Sequence, residues 1–202
     1  IKEEQIVRNL DPFSRFLEVA AQTNGDIVNY LNISRDVGVS SNTVQTYFKI
    51  LEDTLMGFFL PAFHQSIRKQ QSQSPKFYFF DLGVCRALQE VLDQKIKAKT
   101  YGFGRYFESH VILEIFRLNS YLKKGFRFSY LRTKDHAEID LIVSKPNKPL
   151  VILEIKSTDK IHEHDGHTLK RFMNDFGPKT RAYILSLDPV PKAFGKIMAL
   201  PW

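Results

Sequence analysis

The chain has 202 residues, of which 43% are hydrophobic and 25% charged, a balance typical of a folded globular protein and not of a disordered one. No apolar run reaches the roughly 18 residues of a membrane-spanning helix, and the first residues lack the basic-then-apolar order of a signal peptide, so no membrane partner is expected. A single cysteine, Cys85, rules out an internal disulfide and favours a cytoplasmic location. The chain begins at Ile1 and not at a methionine, which suggests a piece of a longer protein.

The net charge of +7 is unevenly distributed along the chain. Residues 1–75 carry seven Lys and Arg against eight Asp and Glu, whereas residues 76–202 carry 22 against 14. A basic half is suited to DNA or another polyanion. A solvated basic surface without a partner would explain the same charge, so both interpretations stay open.

Helical spacing of apolar residues is evident in three segments near the start of the chain. It predicts helices over residues 12–21, 30–37 and 42–53. Gly38 supplies a turn between the second and third helices, and Ser40 or Ser41 is suited to cap the third. This order of helix, turn and helix is the helix-turn-helix pattern.

Two apolar stretches follow, residues 56–63 and 76–80, with a polar segment rich in Gln and Ser between them. They predict the two strands of a wing. We therefore expect residues 1–90 to form a winged helix-turn-helix domain with a connector, in which residues 81–88 are a turn that leads into a further helix.

The third predicted helix carries side chains that can contact bases and phosphates. Together with two cations of the Gln/Ser-rich segment, the candidate nucleic-acid contacts are Asn42, Thr43, Gln45, Thr46, Lys49, Arg68 and Lys69. The region is nearly neutral, however, and phosphate neutralisation supplies much of the affinity for DNA. Winged helices also dock proteins, so DNA and a protein partner both remain open.

The rest of the chain predicts one mixed α/β domain, residues 91–202. A long helix over residues 104–122 has apolar residues that we expect to face mostly inward: Phe107, Val111, Leu113, Ile115, Phe116 and Leu118. It is followed by predicted strands at residues 127–132, 137–143 and 150–156, a helix at 168–176 and a strand at 181–187. The strand over 150–156 is almost continuously apolar, as in a strand buried on both faces.

Two carboxylates interrupt these apolar strands. Asp140 and Glu154 each have apolar neighbours, and a buried acid is costly unless it is paired or bound to a metal. Because Glu154 and Lys156 are two residues apart, their side chains leave the strand on the same side. Oxygen ligands at such a point suit Mg²⁺ or Mn²⁺, and Glu108 on the preceding helix could join them. The alternative is a buried ion pair in an inactive sheet.

Glu108, then Glu138-Ile139-Asp140, then Glu154-Ile155-Lys156 resemble the PD-(D/E)XK nuclease superfamily in order, spacing and element type. The nominal proline is absent, since Ile139 precedes Asp140. The resemblance covers residues 101–187 and implies a restriction-endonuclease-like fold with a central mixed sheet. It also implies catalytic roles for Glu108, Asp140, Glu154 and Lys156, with the three acids as metal ligands.

The two halves together resemble a narrower group. The phrases that carry this resemblance are Gly38 to Val44, Phe77 to Gly83, Gly104 to Glu108, and Arg132 to Asp140. They are similar to the C-terminal half of prokaryotic AAA-type P-loop ATPases, in which an ATPase module precedes a winged helix and an endonuclease-like domain. This sequence has no Walker loop, so ATP is expected to bind only through a module outside it.

Two functions remain open from the sequence. The first is metal-dependent hydrolysis of DNA phosphodiester bonds under the control of the ATPase module. The second is a catalytically silent region that recognises DNA or a protein for that module. The oligomeric state stays open under both. A third idea, a zinc site at His162, His164 and His167, is disfavoured because their spacing matches no zinc pattern and no cysteine is near.

Overall fold

A computed structural model describes residues 10–64 and 73–202 of the chain. The chain divides into two compact units. Unit 1 comprises residues 1–59 and 74–95, and unit 2 comprises residues 60–73 and 96–202. In the described residues, no helix is both long and apolar enough to cross a bilayer.

Three helices open unit 1, and all three were predicted. They are α1 (Leu10–Gln22), α2 (Tyr30–Val37) and α3 (Ser41–Asp53). Gly38 ends α2 in the left-handed region at φ 77°, a conformation that glycine adopts without strain. The Ser40 side chain accepts a hydrogen bond from the backbone N–H of Thr43 and so caps α3.

Unit 1 continues with two short strands and a helix. Strands β1 (Gly57–Leu60) and β2 (Lys76–Phe79) form a two-stranded sheet, and α4 (Leu82–Leu88) follows. The two strands approach closely at Gly57 of β1, where a Cβ atom would lie 2.5 Å from the carbonyl oxygen of Tyr78 in β2. The core of the unit is aromatic, with Phe48 packed edge-on against Phe16 and Phe77.

Unit 2 is built on a six-stranded mixed sheet. Helix α5 (Tyr101–Tyr121) precedes the sheet, and a 3-10 helix (Glu163–Gly166) leads into α6 (His167–Phe176). The strand order is β3-β4-β5-β6-β8-β7. The strands are β3 (Arg127–Arg132), β4 (Glu138–Ser144), β5 (Val151–Lys156), β6 (Arg181–Ser186), β7 (Lys192–Phe194) and β8 (Ile197–Pro201).

The directions of the strands make the sheet mixed. β3, β4 and β5 pair antiparallel, β6 lies parallel to both β5 and β8, and β7 closes the far edge antiparallel to β8. The segment from the 3-10 helix to α6 is the crossover that the parallel β5–β6 pair requires. Four of the strands were predicted within one or two residues, whereas β7 and β8 were not.

One further segment pairs with the outer edge of β3. The Phe63 N–H donates to the Tyr130 carbonyl oxygen at 2.6 Å, and the Tyr130 N–H donates to the Pro61 carbonyl oxygen at 3.0 Å. Ala62 thus forms a parallel bridge with Tyr130, at the point where the β3–β4 register shifts between Ser129 and Leu131.

The predicted apolar face of α5 is buried along the first half of the helix but not at its C-terminal end. Phe107, Val111 and Leu113 are buried as expected, but Leu118 is 50% exposed. The last turn of the helix leaves the packed interior, since Tyr121 and Leu122 are exposed as well. Apolar spacing alone does not show where a long helix passes the edge of the element that it packs on.

Candidate functional site

The end of the β4–β5 ladder holds Asp140 in place. The last residue pair of this antiparallel ladder is Leu141 with Leu153. One residue beyond that pair, Asp140 on β4 lies opposite Glu154 on β5. There the Asp140 Oδ2 atom accepts a hydrogen bond from the backbone N–H of Ile155 at 2.7 Å. Beyond the end of the backbone ladder, the Asp140 side chain therefore replaces a backbone carbonyl as the acceptor for the Ile155 amide of β5.

Glu154 and Lys156 are in direct contact on β5. Glu154 is only 8% exposed, and its Oε1 atom lies 2.6 Å from the Lys156 Nζ atom. Burial raises the pKa of Glu154 above its ordinary value; Lys156 opposes this shift, while Glu108 and Glu138 add to it. Burial alone would lower the pKa of Lys156, but the charge and hydrogen bond of Glu154 outweigh it and raise that pKa.

The second oxygen of the Glu154 carboxylate is unsatisfied. Its Oε2 atom is buried and has no hydrogen-bond partner among the described residues. Buried polar atoms in folded proteins nearly always have a partner, and an unpaired one costs roughly 1–3 kcal/mol. A bound cation or a water molecule would supply that partner, so this atom fits the site of a hard metal ion.

Glu108 reaches the same neighbourhood from α5. The helix packs against β5, and the Glu108 side chain is half-buried. Its charge acts on Glu154, as the direction of the Glu154 pKa shift shows. The charges of Glu108 and Lys156 thus act on one buried carboxylate, while the charge of Asp140 acts on Lys156.

The carboxylates of Glu108, Asp140 and Glu154 are not arranged as a set of metal ligands. Across residues 10–64 and 73–202, no group of three or more His, Cys, Asp or Glu side chains is arranged as a metal-binding cluster. One oxygen of Glu154 is turned to Lys156, and one of Asp140 to the β5 backbone. The predicted ligand roles of Glu108, Asp140 and Glu154 therefore stay predictions.

Two further acids act on the site without having been assigned to it. Glu138 raises the pKa of Glu154, and Asp165 raises that of Lys156. Glu138 could have been found, because it is two residues from Asp140 and shares its side of β4. Asp165 could not, since it lies in the 3-10 helix, where it accepts a hydrogen bond from the His162 N–H at 2.8 Å.

The predicted nucleic-acid contacts of α3 lie on the surface of unit 1 with one exception. Four are exposed, namely Asn42, Gln45, Thr46 and Lys49. Thr43 is half-buried, and its hydroxyl lies 2.8 Å from that of Ser40. Arg68 and Lys69 fall outside the described residues.

Lys49 is already neutralised by its own helix. Its Nζ atom lies 3.1 Å from Glu52 Oε2 and 2.9 Å from Asp53 Oδ1, and these hydrogen bonds raise the pKa of Lys49. A lysine paired with two carboxylates has little charge to offer a phosphate. The structure thus weakens α3 as an electrostatic contact with DNA, although its polar side chains stay accessible.

Comparison with known proteins matches each half of the chain to a domain family. Residues 1–95 match the model for DUF8612 and residues 103–202 that for DUF4143, both of them domains of unknown function. Two uncharacterized proteins, one of Mycobacterium bovis and one of Mycobacterium tuberculosis, are each 28% identical over 138 residues. The aligned region is 68% of this chain and 30% of each relative.

No solved structure matches the chain. The architecture stands as a mixed α/β protein with six described α-helices and a mixed sheet. By sequence, residues 103–202 carry a DUF4143 domain, a domain of unknown function that is associated with AAA-ATPase-containing proteins.

Proposed function

We propose that unit 2 is a restriction-endonuclease-like domain that hydrolyses DNA phosphodiester bonds with Mg²⁺ or Mn²⁺. Unit 1 would be a winged helix that assists binding, and both would form the C-terminal region of an AAA-type ATPase. The observation that carries the proposal is the Glu154 carboxylate, buried beside Lys156 with its Oε2 atom unsatisfied. A structural ion pair would need no such orphan oxygen.

The chain supplies a role for each residue. Asp140 and Glu154 lie opposite each other on adjacent strands, and both offer hard oxygen ligands to a metal ion. Glu108 adds a third carboxylate from α5. Lys156 carries a raised pKa and stays protonated at neutral pH, so it can hold an attacking water or offset charge on the phosphate.

A bound Mg²⁺ or Mn²⁺ would polarise a phosphoryl oxygen and lower the pKa of a coordinated water. For Glu154 to serve as a ligand with both oxygens, Lys156 must move from its Oε1 atom. The side chain of Lys156 is 38% exposed and therefore has room to turn toward a substrate.

The link to an ATPase rests on the DUF4143 match and on the length of the relatives. The part aligned with this chain is 30% of each mycobacterial protein, which leaves ample length for a nucleotide-binding module. Nucleotide hydrolysis in that module would then regulate the access of unit 2 to DNA.

The test is cleavage of supercoiled and linear DNA by the full chain with Mn²⁺, Mg²⁺ or EDTA. We expect metal-dependent cleavage that Asp140→Asn and Lys156→Ala each abolish. Lys160→Ala, which removes an exposed lysine nearby, should cut as the wild type does. Cleavage that persists in both site variants would come from a contaminant and would refute the proposal.

One observation favours a second candidate, a silent module that binds DNA or protein for the ATPase. The Lys156 ammonium donates a hydrogen bond to Glu154 Oε1 at 2.6 Å, and an ion pair of this kind can serve a purely structural role in an inactive sheet. Under this function the chain would bind DNA in a salt-sensitive way and would leave it intact with either metal. Absence of both binding and cleavage at low salt would leave docking of a protein as its role.

A further inference from the structure

The end of the unit 2 sheet opposite Glu154 and Lys156 is strongly basic. Strand register places the start of β3, the end of β4 and the starts of β5 and β6 together there. The pairs that show this are Arg127 with Ser144, Val143 with Val151, and Val151 with Arg181. The loops that adjoin these strand ends therefore meet at one edge of the sheet.

Six exposed cations, here called the basic end, lie on these loops and strand ends. They are Lys123, Lys124, Arg127, Lys145, Lys148 and Arg181. The sequence that surrounds them supplies no counter-charge, since residues 115–134, 141–153 and 176–187 contain neither Asp nor Glu. Within the part of the chain that the structure describes, none of the six forms an ion pair with a carboxylate.

The two main loops of the basic end are fixed to each other. The Lys145 Nζ atom donates to the Lys124 carbonyl oxygen at 2.6 Å and lies 5.4 Å from the centre of the Phe126 ring. The Asn119 side chain bonds both the N–H and the carbonyl oxygen of Phe126, at 2.9 and 3.0 Å. These contacts hold the Lys145 ammonium against the loop that carries Lys123 and Lys124, and like charges on adjoining loops repel one another until an anion neutralises them.

The basic end is wide enough to contact several phosphate groups at once, which distinguishes it from a site for a single phosphate. Its cations span four neighbouring strands, and a spacing of about 4.8 Å between strands makes the array roughly 15 Å wide. The residues are exposed on separate loops and strand ends, so a single small anion would meet few of them at once. A backbone with regularly spaced phosphates would meet several.

The basic end also has a defined distance from the carboxylates. Lys145 follows the last residue of β4 and lies five residue steps from Asp140, which is roughly 17 Å at about 3.3 Å per step. Along a duplex that distance corresponds to about five base pairs at about 3.4 Å each. A duplex held by the basic end could therefore extend to Asp140 and Glu154.

We propose that the basic end binds the phosphate backbone of double-stranded DNA and is the main electrostatic contact of this chain with it. This assigns the contact to unit 2 and not to α3, where Lys49 is neutralised by Glu52 and Asp53. The inference rests on the proposed function for the choice of DNA as the polyanion. It does not require that the chain hydrolyse DNA.

The experiment measures binding of a fluorescent 25-base-pair duplex, a length of about 85 Å at about 3.4 Å per pair, to the full chain in EDTA across a salt series. The test variant is Lys123→Gln/Lys148→Gln/Arg181→Gln, which spares Lys124 and Lys145 and their hydrogen bond. The matched control, Arg15→Gln/Arg35→Gln/Lys95→Gln, removes three exposed cations of unit 1 and lowers the net charge equally. A conservative variant, Lys123→Arg/Lys148→Arg/Arg181→Lys, keeps every charge.

We expect the test variant to bind at least about tenfold more weakly near 0.1 M salt. Its slope of log affinity against log salt should fall by about 2–3, since each phosphate contact contributes about 0.9. The control and the conservative variant should keep the wild-type slope. Unchanged affinity and slope in a test variant with the wild-type circular dichroism spectrum would overturn the proposal, as would an equal loss in the control.

Two features of the design separate this inference from its neighbours. Binding is measured in EDTA, where the proposed metal-dependent cleavage cannot occur, so loss of cleavage and loss of binding are read independently. Vesicles that contain phosphatidylserine test a lipid surface as the source of phosphate. Binding to vesicles that the test variant loses, without binding to DNA, would overturn the assignment to DNA.

Discussion

The Asp140 carboxylate accepts a hydrogen bond from the Ile155 amide at 2.7 Å, one residue after the last pair of the β4–β5 ladder. Asp140 therefore has a structural task in addition to any role as a ligand. The two tasks separate by substitution, because an Asn side chain keeps an acceptor oxygen and an Ala side chain does not.

We expect Asp140→Ala to lower the free energy of unfolding by about 1–3 kcal/mol, because it leaves the Ile155 N–H without its charged acceptor. Asp140→Asn should cost less than about 1 kcal/mol. Urea denaturation of the two variants measures the difference. Equal stability of Asn and Ala variants would mean that the hydrogen bond contributes nothing to the fold.

Removal of the Lys156 side chain should lower the stability of the protein, because the buried Glu154 carboxylate then has no charged partner. Lys156→Met leaves the carboxylate without its partner, and because the lysine side chain is 38% exposed we expect a moderate loss of about 1–3 kcal/mol. Adding Glu154→Gln to this variant should restore part of that stability. A double-mutant cycle by urea denaturation measures the coupling, and independent effects of the two substitutions would contradict the pair.

The Glu154 pair also predicts a pH dependence. The pKa of Glu154 is raised in the folded state, so folding takes up a proton there, and the stability from that protonation is lost as pH rises through the folded pKa. Glu154→Gln cannot ionise. The stability of this variant relative to wild type should therefore increase from acid to neutral pH, as denaturation at several pH values will show.

Asp188 should behave in the opposite way. Its carboxylate bonds the Lys192 ammonium and the N–H groups of Ile161 and Val190, and these contacts lower its pKa to about 2. Its stabilising contribution is present above its ordinary pKa of 3.8 and is lost as pH falls toward 2. Asp188→Asn should lower the melting temperature at pH 7, and the difference from wild type should shrink in acid.

Gly57→Ala should destabilise unit 1. The new methyl group would lie 2.4 Å from the Phe77 ring and 2.5 Å from the Tyr78 carbonyl oxygen, so β1 and β2 must separate. We expect a loss of about 1–3 kcal/mol from overpacking. Gly102→Ala is the control, because it has open space within α5 and should gain up to about 1 kcal/mol in helix propensity.

Local periodicity was enough to predict most elements of the fold. The helices follow from apolar residues at three- and four-residue steps, and of the two serines predicted as possible caps of α3, Ser40 is the cap. β7 and β8 were missed because β7 has three residues and Pro189 and Pro191 precede it, so no alternation is visible. β8 is defined by pairing with β6, a contact that no local pattern records.

The candidate site was predictable only where strand geometry fixes it. The two-residue spacing places Glu154 and Lys156 on one side of β5, and the 2.6 Å contact follows from that. The bond from Ile155 to Asp140 could not be predicted, because it depends on where β4 separates from β5. The unsatisfied Glu154 oxygen likewise depends on what packs around it.

The pairing of Pro61 and Phe63 with Tyr130 bears on how the protein can be dissected. The segment lies between β1 and β2 in sequence, yet it completes the outer edge of β3 in unit 2. A fragment that begins at residue 96 would leave the Tyr130 amide and carbonyl without these partners. An open strand edge is a template for self-association, so such a fragment should aggregate where the intact chain does not.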